Sequence, residues 1–125
     1  MFTRDYAGSV RQMVAALFHD DADPALMADA ERRMQGTPPE AAHAMFLSMV
    51  EYRPGEAAAR LRVPLRAING DLFPTDVDGV RKVKPDFEVI IMEHTGHYPM
   101  LERPEAFNRH VSSIAEQLIA AGRGA

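Results

Sequence analysis

The stretch VPLRAINGDLFPTDVDGVRKVKPDFEVIIM, residues 63–92, decides the fold class, because it holds two apolar segments separated by a helical one. Val63–Ile68 is short and apolar-rich, and the turn signal Asn69–Asp71 follows it. Phe87–Met92 carries an apolar run without alternation, which is typical of a strand covered on both faces. Val77–Val83 between them predicts a short helix. The stretch therefore predicts two parallel strands joined by a right-handed helical crossover.

The rest of the chain carries helical patterns on both sides of this unit. A last helix is predicted from Pro104 to about Ala121. Before the first strand, apolar spacing and capping signals predict four helices, over about Arg4–Phe18, Pro24–Met34, from the capping box of Thr37 and Glu40 to about Val50, and over Glu56–Leu61. The fold class is therefore α/β, with a helical region over residues 1–62 and a β-α-β-α unit over residues 63–125.

The two predicted strands are too few to form an independent parallel sheet. Such a sheet needs cover on both faces and at both edges. The sequence predicts a buried strand but supplies only one neighbouring strand to pair with it. Either a second chain supplies further strands, as in a homo-oligomer, or this chain is part of a larger fold whose N-terminal half is missing here.

Composition excludes several classes of function. The 125 residues carry 14 basic and 18 acidic side chains, a net charge of −4, which argues against nucleic acid as the main partner. There is no cysteine, so disulfide scaffolds and thiolate chemistry are excluded. No apolar run is long enough to span a bilayer, and the N-terminus lacks the apolar stretch of a signal peptide. We therefore expect a cytoplasmic protein with no membrane partner, no metal and no cofactor.

Several segments in order resemble the C-terminal portion of the α/β-hydrolase superfamily. Val63–Gly70 resembles the family's seventh strand, and Glu88–Met92 resembles its eighth. Gly96–His97 resembles the loop with the catalytic histidine, and Tyr98–Asn108 resembles the start of the last helix. The helices of residues 4–61 resemble the helical cap of many members. The resemblance implies an incomplete α/β-hydrolase fold, a cap followed by a short parallel sheet.

The resemblance implies a serine-type hydrolase that lacks its nucleophile in this chain. The family nucleophile lies in a GxSxG turn between a strand and a helix. None of the four serines stands in that motif, namely Ser9, Ser48, Ser112 and Ser113. The expected function is hydrolysis of an ester or similar bond in a small apolar substrate, provided that a nucleophile-bearing half is present. The alternative is a non-catalytic homo-oligomeric or binding module derived from a hydrolase.

His97 and Asp71 are the catalytic candidates. In a triad, the imidazole takes the proton of the nucleophile and returns it to the leaving group. The family commonly has Gly-x-x-Asp after the seventh strand, but here Phe73 occupies the position of the acid. Asp71, directly after Gly70, is the nearest carboxylate to the strand end. It is either the acid or a turn former, and an acid after the missing sixth strand is a further alternative.

Four apolar or aromatic residues are candidates for substrate binding, namely Phe73, Tyr98, Met45 and Met49. Methionines in a hydrolase cap form adaptable pocket walls, although by sequence alone ordinary helix packing explains them better. His94 is expected to be an exposed loop residue, since no third metal ligand is visible. Glu102 is either a second carboxylate near His97 or a residue that caps the last helix.

Overall fold

The computed structural model describes residues 5–123 of the chain. Arg4, where the first helix was predicted to begin, and residues 124–125 lie outside the described residues. The described part contains seven helices and two strands, in the order α1 (Tyr6–Leu17), α2 (Pro24–Gln35), α3 (Pro39–Glu51), α4 (Pro54–Ala59), β1 (Arg66–Gly70), α5 (Val77–Val83), β2 (Glu88–Met92), α6 (Pro99–Glu102) and α7 (Pro104–Arg123).

The two strands pair in parallel, as predicted. Arg66 lies opposite Glu88, and Gly70 lies opposite Met92. An ion pair of 3.2 Å between Arg66 Nη2 and Glu88 Oε1 joins the strands at their first residues. β1 begins later than predicted, after Pro64, because a proline has no N–H to donate to a strand ladder. The carboxyl ends of both strands consequently lie side by side, and the loops that follow them meet there.

The expectation that the second strand is covered on both faces is wrong within the described residues. The side chain of Ile91 is 43% exposed, and Val89 and Ile90 are only half-buried. α6 and α7 pack against β1, so they leave part of β2 open to solvent. The apolar run of β2 thus exceeds the cover that this part of the chain provides.

Proline and aspartate signals determine where the helices begin. Five helices begin at a proline, whose fixed φ suits the first helical position, namely α2, α3, α4, α6 and α7. The Asp23 carboxylate accepts a hydrogen bond from Ala25 N, which confirms the predicted N-cap of α2. The predicted capping box of Thr37 is wrong. α3 begins at Pro39, so the N-cap position falls on Pro38, which offers no capping side chain.

The main hydrophobic core is formed by α1 and α2. Val10, Val14 and Phe18 are almost completely buried. Side chains of α2 pack against them, namely Leu26, Met27, Ala30 and Met34. Phe18 also contacts the ring of Tyr98, with ring centroids 5.3 Å apart. The helical region is therefore packed against the loop that follows β2. No helix in residues 5–123 combines the length and apolar character needed to cross a membrane.

Candidate active site

The loop after β2 carries His97 and is held by its own backbone geometry. His94 has a φ of 51°, in the left-handed region that non-glycine residues rarely adopt. Thr95 is fully buried, and its hydroxyl donates a hydrogen bond to the carbonyl of Glu93 at 2.9 Å. The loop therefore turns sharply between β2 and His97 rather than continuing the strand direction.

Asp71 lies directly after β1 and binds the backbone of this loop. Its carboxylate accepts hydrogen bonds from Thr95 N and His94 N, each at 3.0 Å. These two N–H donors hold the pKa of the exposed Asp71 carboxyl below its ordinary range. The structure thus brings Asp71 to the loop of His97, as the sequence analysis expected. Its two oxygens, however, are engaged by backbone N–H groups.

Glu102, in α6, binds the same loop from the other side. Its Oε2 accepts hydrogen bonds from Gly96 N at 3.0 Å and from His19 N at 3.1 Å. Its Oε1 lies 3.4 Å from Tyr98 N, which donates to it. Of the two alternatives for Glu102, the helix cap is wrong, because α7 begins two residues later. The carboxylate instead binds the residues that flank His97, so it is the second carboxylate near that histidine.

Two glycines allow the backbone segments around His97 to approach closely. A Cβ on Gly70 would lie 2.1 Å from the carbonyl oxygen of Thr95. A Cβ on Gly96 would lie 2.5 Å from the carbonyl oxygen of Leu17 and 2.7 Å from Glu102 Oε1. The N–H of His97 donates to the same Leu17 carbonyl at 2.6 Å. Any larger residue at Gly70 or Gly96 would push the loop away from β1 or from the end of α1.

The His97 side chain is exposed and lines a cavity of about 410 Å³ at the carboxyl end of β1. Its imidazole contacts two aromatic rings edge-on, Phe73 at 6.3 Å and Tyr98 at 5.1 Å between centroids. Phe73 therefore forms part of the cavity wall. Thr75, another lining residue, accepts a hydrogen bond from the Asn69 side chain at 2.8 Å. The arrangement is a histidine presented to an open, mixed polar and apolar cavity.

Tyr98, Met45 and Met49 line a second, smaller cavity of about 190 Å³ between the helices and the His97 loop. Met45 and Met49 are 64% and 68% exposed, so the core does not enclose them. The ring of Tyr98 stands between the two cavities, since it also contacts His97. The structure thus places Phe73 with His97 and groups the other three candidates in the neighbouring cavity.

A polar network at the end of α1 adjoins the His97 loop. Asp21 pairs with His19 Nδ1 at 2.8 Å and with Arg103 Nη2 at 2.9 Å. These partners, His19 before Arg103, hold the pKa of the Asp21 carboxyl below its ordinary range. Arg103 also donates to the carbonyl of His94 at 3.1 Å. Among residues 5–123, no group of three or more His, Cys, Asp or Glu side chains is placed to hold a metal ion.

Comparison with solved structures places this architecture among known folds. A His-tagged serine hydrolase involved in carbazole degradation, the CarC enzyme, superposes with a TM-score of 0.64 at 18% identity. An enzyme that degrades N-acyl homoserine lactones superposes with a TM-score of 0.67 at 17% identity. The chain has part of an α/β-hydrolase fold. The resemblance drawn from the sequence is thereby confirmed at the level of the fold.

The α/β-hydrolase match covers nearly all of this chain but about half of each solved structure. It spans 89% of this chain and 47% of the carbazole-pathway hydrolase, and 90% of this chain and 48% of the lactone-degrading enzyme. A scan against protein-family models finds no match, and a search of curated proteins finds no significant one. The extent of the match agrees with the C-terminal portion that the sequence predicts.

Sequence reasoning missed the part that the end of α1 plays at this site. The carbonyl of Leu17 and the N–H of His19 both bind the His97 loop or its Glu102 support. These are backbone groups, so the residue types at these positions do not indicate the contacts. The one local signal was His19 itself, where the apolar stripe of α1 ends.

Proposed function

We propose that this chain supplies the catalytic histidine, His97, of a serine-type α/β-hydrolase that cleaves an ester or similar bond in a small apolar substrate. The observation that carries the proposal is the exposed imidazole in a cavity of about 410 Å³, at the carboxyl end of a strand of this fold. The nucleophile comes from residues outside these 125, because the sequence holds no GxSxG. His97 would take the proton of that serine and pass it to the leaving group.

The hydrogen bonds of Asp71 favour an external acid for His97. An orienting acid accepts a hydrogen bond from the imidazole. The Asp71 carboxylate instead accepts from His94 N and Thr95 N, and within residues 5–123 no hydrogen bond joins it to the His97 imidazole. We therefore propose that Asp71 shapes the loop and that the acid follows a strand outside this chain.

The aromatic and methionine side chains support an apolar substrate. Phe73 lies beside the imidazole and is placed to contact the group next to the scissile bond. Tyr98, Met45 and Met49 form the adjacent apolar cavity, which is suited to an alkyl or acyl chain. The two solved neighbours are, by their own descriptions, a serine hydrolase and an enzyme that degrades N-acyl homoserine lactones.

The test compares the 125-residue chain with the protein encoded when the reading frame upstream of Met1 is included. With p-nitrophenyl butyrate as substrate, we expect no turnover by the short chain and turnover by the longer protein if it carries GxSxG. His97→Ala in the longer protein should lower kcat by at least on the order of 1,000-fold. His43→Ala, an exposed histidine on α3, is the matched control and should leave kcat unchanged.

Two outcomes would contradict the proposal. Ester hydrolysis by the pure short chain that disappears in His97→Ala would show that the nucleophile lies within it. Full activity of the longer protein after His97→Ala would remove His97 from the mechanism. A stop codon directly upstream, with no partner half, would favour the non-catalytic alternative.

The specific observation behind that alternative is an apolar groove of about 430 Å³ between β1 and α7, lined by Ile68, Met100, Phe107, Val111 and Ile114 among others. In a homo-oligomeric or binding module, a second copy or another partner would cover this groove. The two proposed functions predict different oligomeric states. A module should give one defined oligomer, whereas a hydrolase half should give a monomeric enzyme once the remaining strands are present.

A further inference from the structure

Glu102 joins three separate points of the backbone. Its Oε2 binds Gly96 N and His19 N, and its Oε1 accepts from Tyr98 N. Gly96 and Tyr98 are the two residues that flank His97 in the chain. His19 lies 83 residues before Glu102, just after the end of α1. One half-buried carboxylate therefore connects both sides of the histidine to the helical region.

The close packing around Gly96 makes this connection specific. The Gly96 Cα has no room for a side chain between Leu17, His19 and Glu102 Oε1. The N–H of His97 itself donates to Leu17 at 2.6 Å. Hydrogen bonds from N–H groups to a carboxylate are stronger than those to a neutral oxygen, since the acceptor carries charge. A charged acceptor at this point thus fixes the backbone from which the imidazole projects.

We propose that Glu102 is a positioning residue for His97: it holds the imidazole in place by fastening the residues on either side of it to the end of α1. It does not touch the substrate and takes no proton in the reaction. The inference rests on the proposed catalytic role of His97 for its functional consequence. Its structural part, the placement of the imidazole, is measurable without any activity.

The experiment on placement uses the isotope-labelled 125-residue chain in solution. In the wild type, the imidazole protons of His97 should show contacts with the rings of Phe73 and Tyr98 by nuclear Overhauser effects. Glu102→Gln keeps the shape but replaces one acceptor oxygen by an NH2 group and removes the charge. We expect these His97 contacts to weaken and the ring-proton shifts to move toward those of a histidine with no aromatic ring beside it. The shifts of His43 and His110 should stay unchanged.

Glu105→Gln is the matched control, because Glu105 lies in the first turn of α7 and is exposed. It should leave the His97 contacts as in the wild type. A merely structural role of Glu102 would lower the melting temperature and leave the His97 contacts of the folded protein intact, and that result would overturn the proposal. If Glu102→Gln does not fold, the proposal is tested by hydrogen exchange of the backbone amides of the wild-type chain. The amides of His19, Gly96 and Tyr98 should be protected, and free exchange at all three would overturn it.

The kinetic consequence is tested in the active, longer protein. Glu102→Gln should lower kcat on the order of 100-fold with KM unchanged, since displacing a catalytic group by about an ångström costs that much. Unchanged kcat in a protein that His97→Ala inactivates would overturn the positioning role alone. Unchanged activity in His97→Ala would instead overturn the proposed function, while the measured placement of the imidazole would still stand.

Discussion

Two carboxylates, Asp71 and Glu102, together accept hydrogen bonds from five backbone N–H groups in or next to the loop of His97. Sequence reasoning left two roles open for each: acid or turn former for Asp71, and helix cap or second carboxylate near His97 for Glu102. These alternatives followed from neighbours in the chain. The partners that they actually bind come from other segments. The sequence around an acidic side chain does not indicate which distant backbone N–H groups it will bind.

Replacing Asp71 should change how stability depends on pH. The folded-state pKa of Asp71 is lowered, so its ionised form stabilises the fold above the ordinary aspartate pKa of about 3.9. That contribution is lost as the pH falls through the lowered pKa. Asp71→Asn should therefore unfold at a lower urea concentration than the wild type at pH 7, and the difference should shrink below about pH 4.

Asp20→Asn serves as the control for this comparison, because Asp20 is an exposed aspartate in the loop after α1. Its urea midpoint should follow that of the wild type at both pH values. A constant difference between Asp71→Asn and the wild type from pH 7 to pH 3 would show that the carboxylate's charge does not contribute.

Among the elements, α1 was predicted for its apolar stripe, and the stripe does form the core with α2. Elements such as α1 were more predictable than the site, because the patterns that predict them are local. Helical periodicity, proline at helix starts and the apolar run of β2 are local patterns, readable within about ten residues. The docking of α1 against the His97 loop depends on residues far apart in sequence, so it required the structure.

Shortening the side chain of Phe18, the residue directly after α1, should affect both the core and the site. Phe18 is 2% exposed and contacts the Tyr98 ring next to His97. Phe18→Ala should reduce the free energy of unfolding by about 3–5 kcal/mol, because it leaves a cavity in the core. Val50→Ala on α3, at a position 84% exposed, should change it by less than about 0.5 kcal/mol. Urea unfolding followed by circular dichroism measures both, and equal midpoints for the two variants would contradict this packing.

At the scale of the whole molecule, the described residues expose many large apolar side chains on both the sheet and the helices. Ile91 on β2 and Val111 on α7 are each 43% exposed, and β1 pairs with β2 alone in the described sheet. The solved hydrolases that share this fold extend well beyond the matched part, which is about half of their length. In the described residues, a sheet of two strands leaves these side chains without cover.

The isolated chain should therefore associate in solution. Light scattering should give a mass above the 13.9 kDa of one chain. Val111→Lys, in the groove between β1 and α7, should reduce this association, because a charge in an apolar contact is costly to bury. Val50→Lys on α3 is the control and should leave it unchanged. A wild-type chain that remains a single monodisperse monomer would contradict this expectation.

The bond between Glu102 and His19 has a consequence for the order in which the chain folds. The strands β1 and β2 pair residues such as Arg66 and Glu88, which are near in sequence, whereas Glu102 and His19 are 83 residues apart. Closing the longer loop costs more chain entropy, so the sheet is expected to form before α1 docks. Because two strands alone are too few for an independent sheet, α6 and α7, which pack against β1, would form together with them while His97 still lacks its contacts to α1. The histidine would acquire its final surroundings in the last stage of folding, when the end of α1 packs against its loop and His19 binds Glu102.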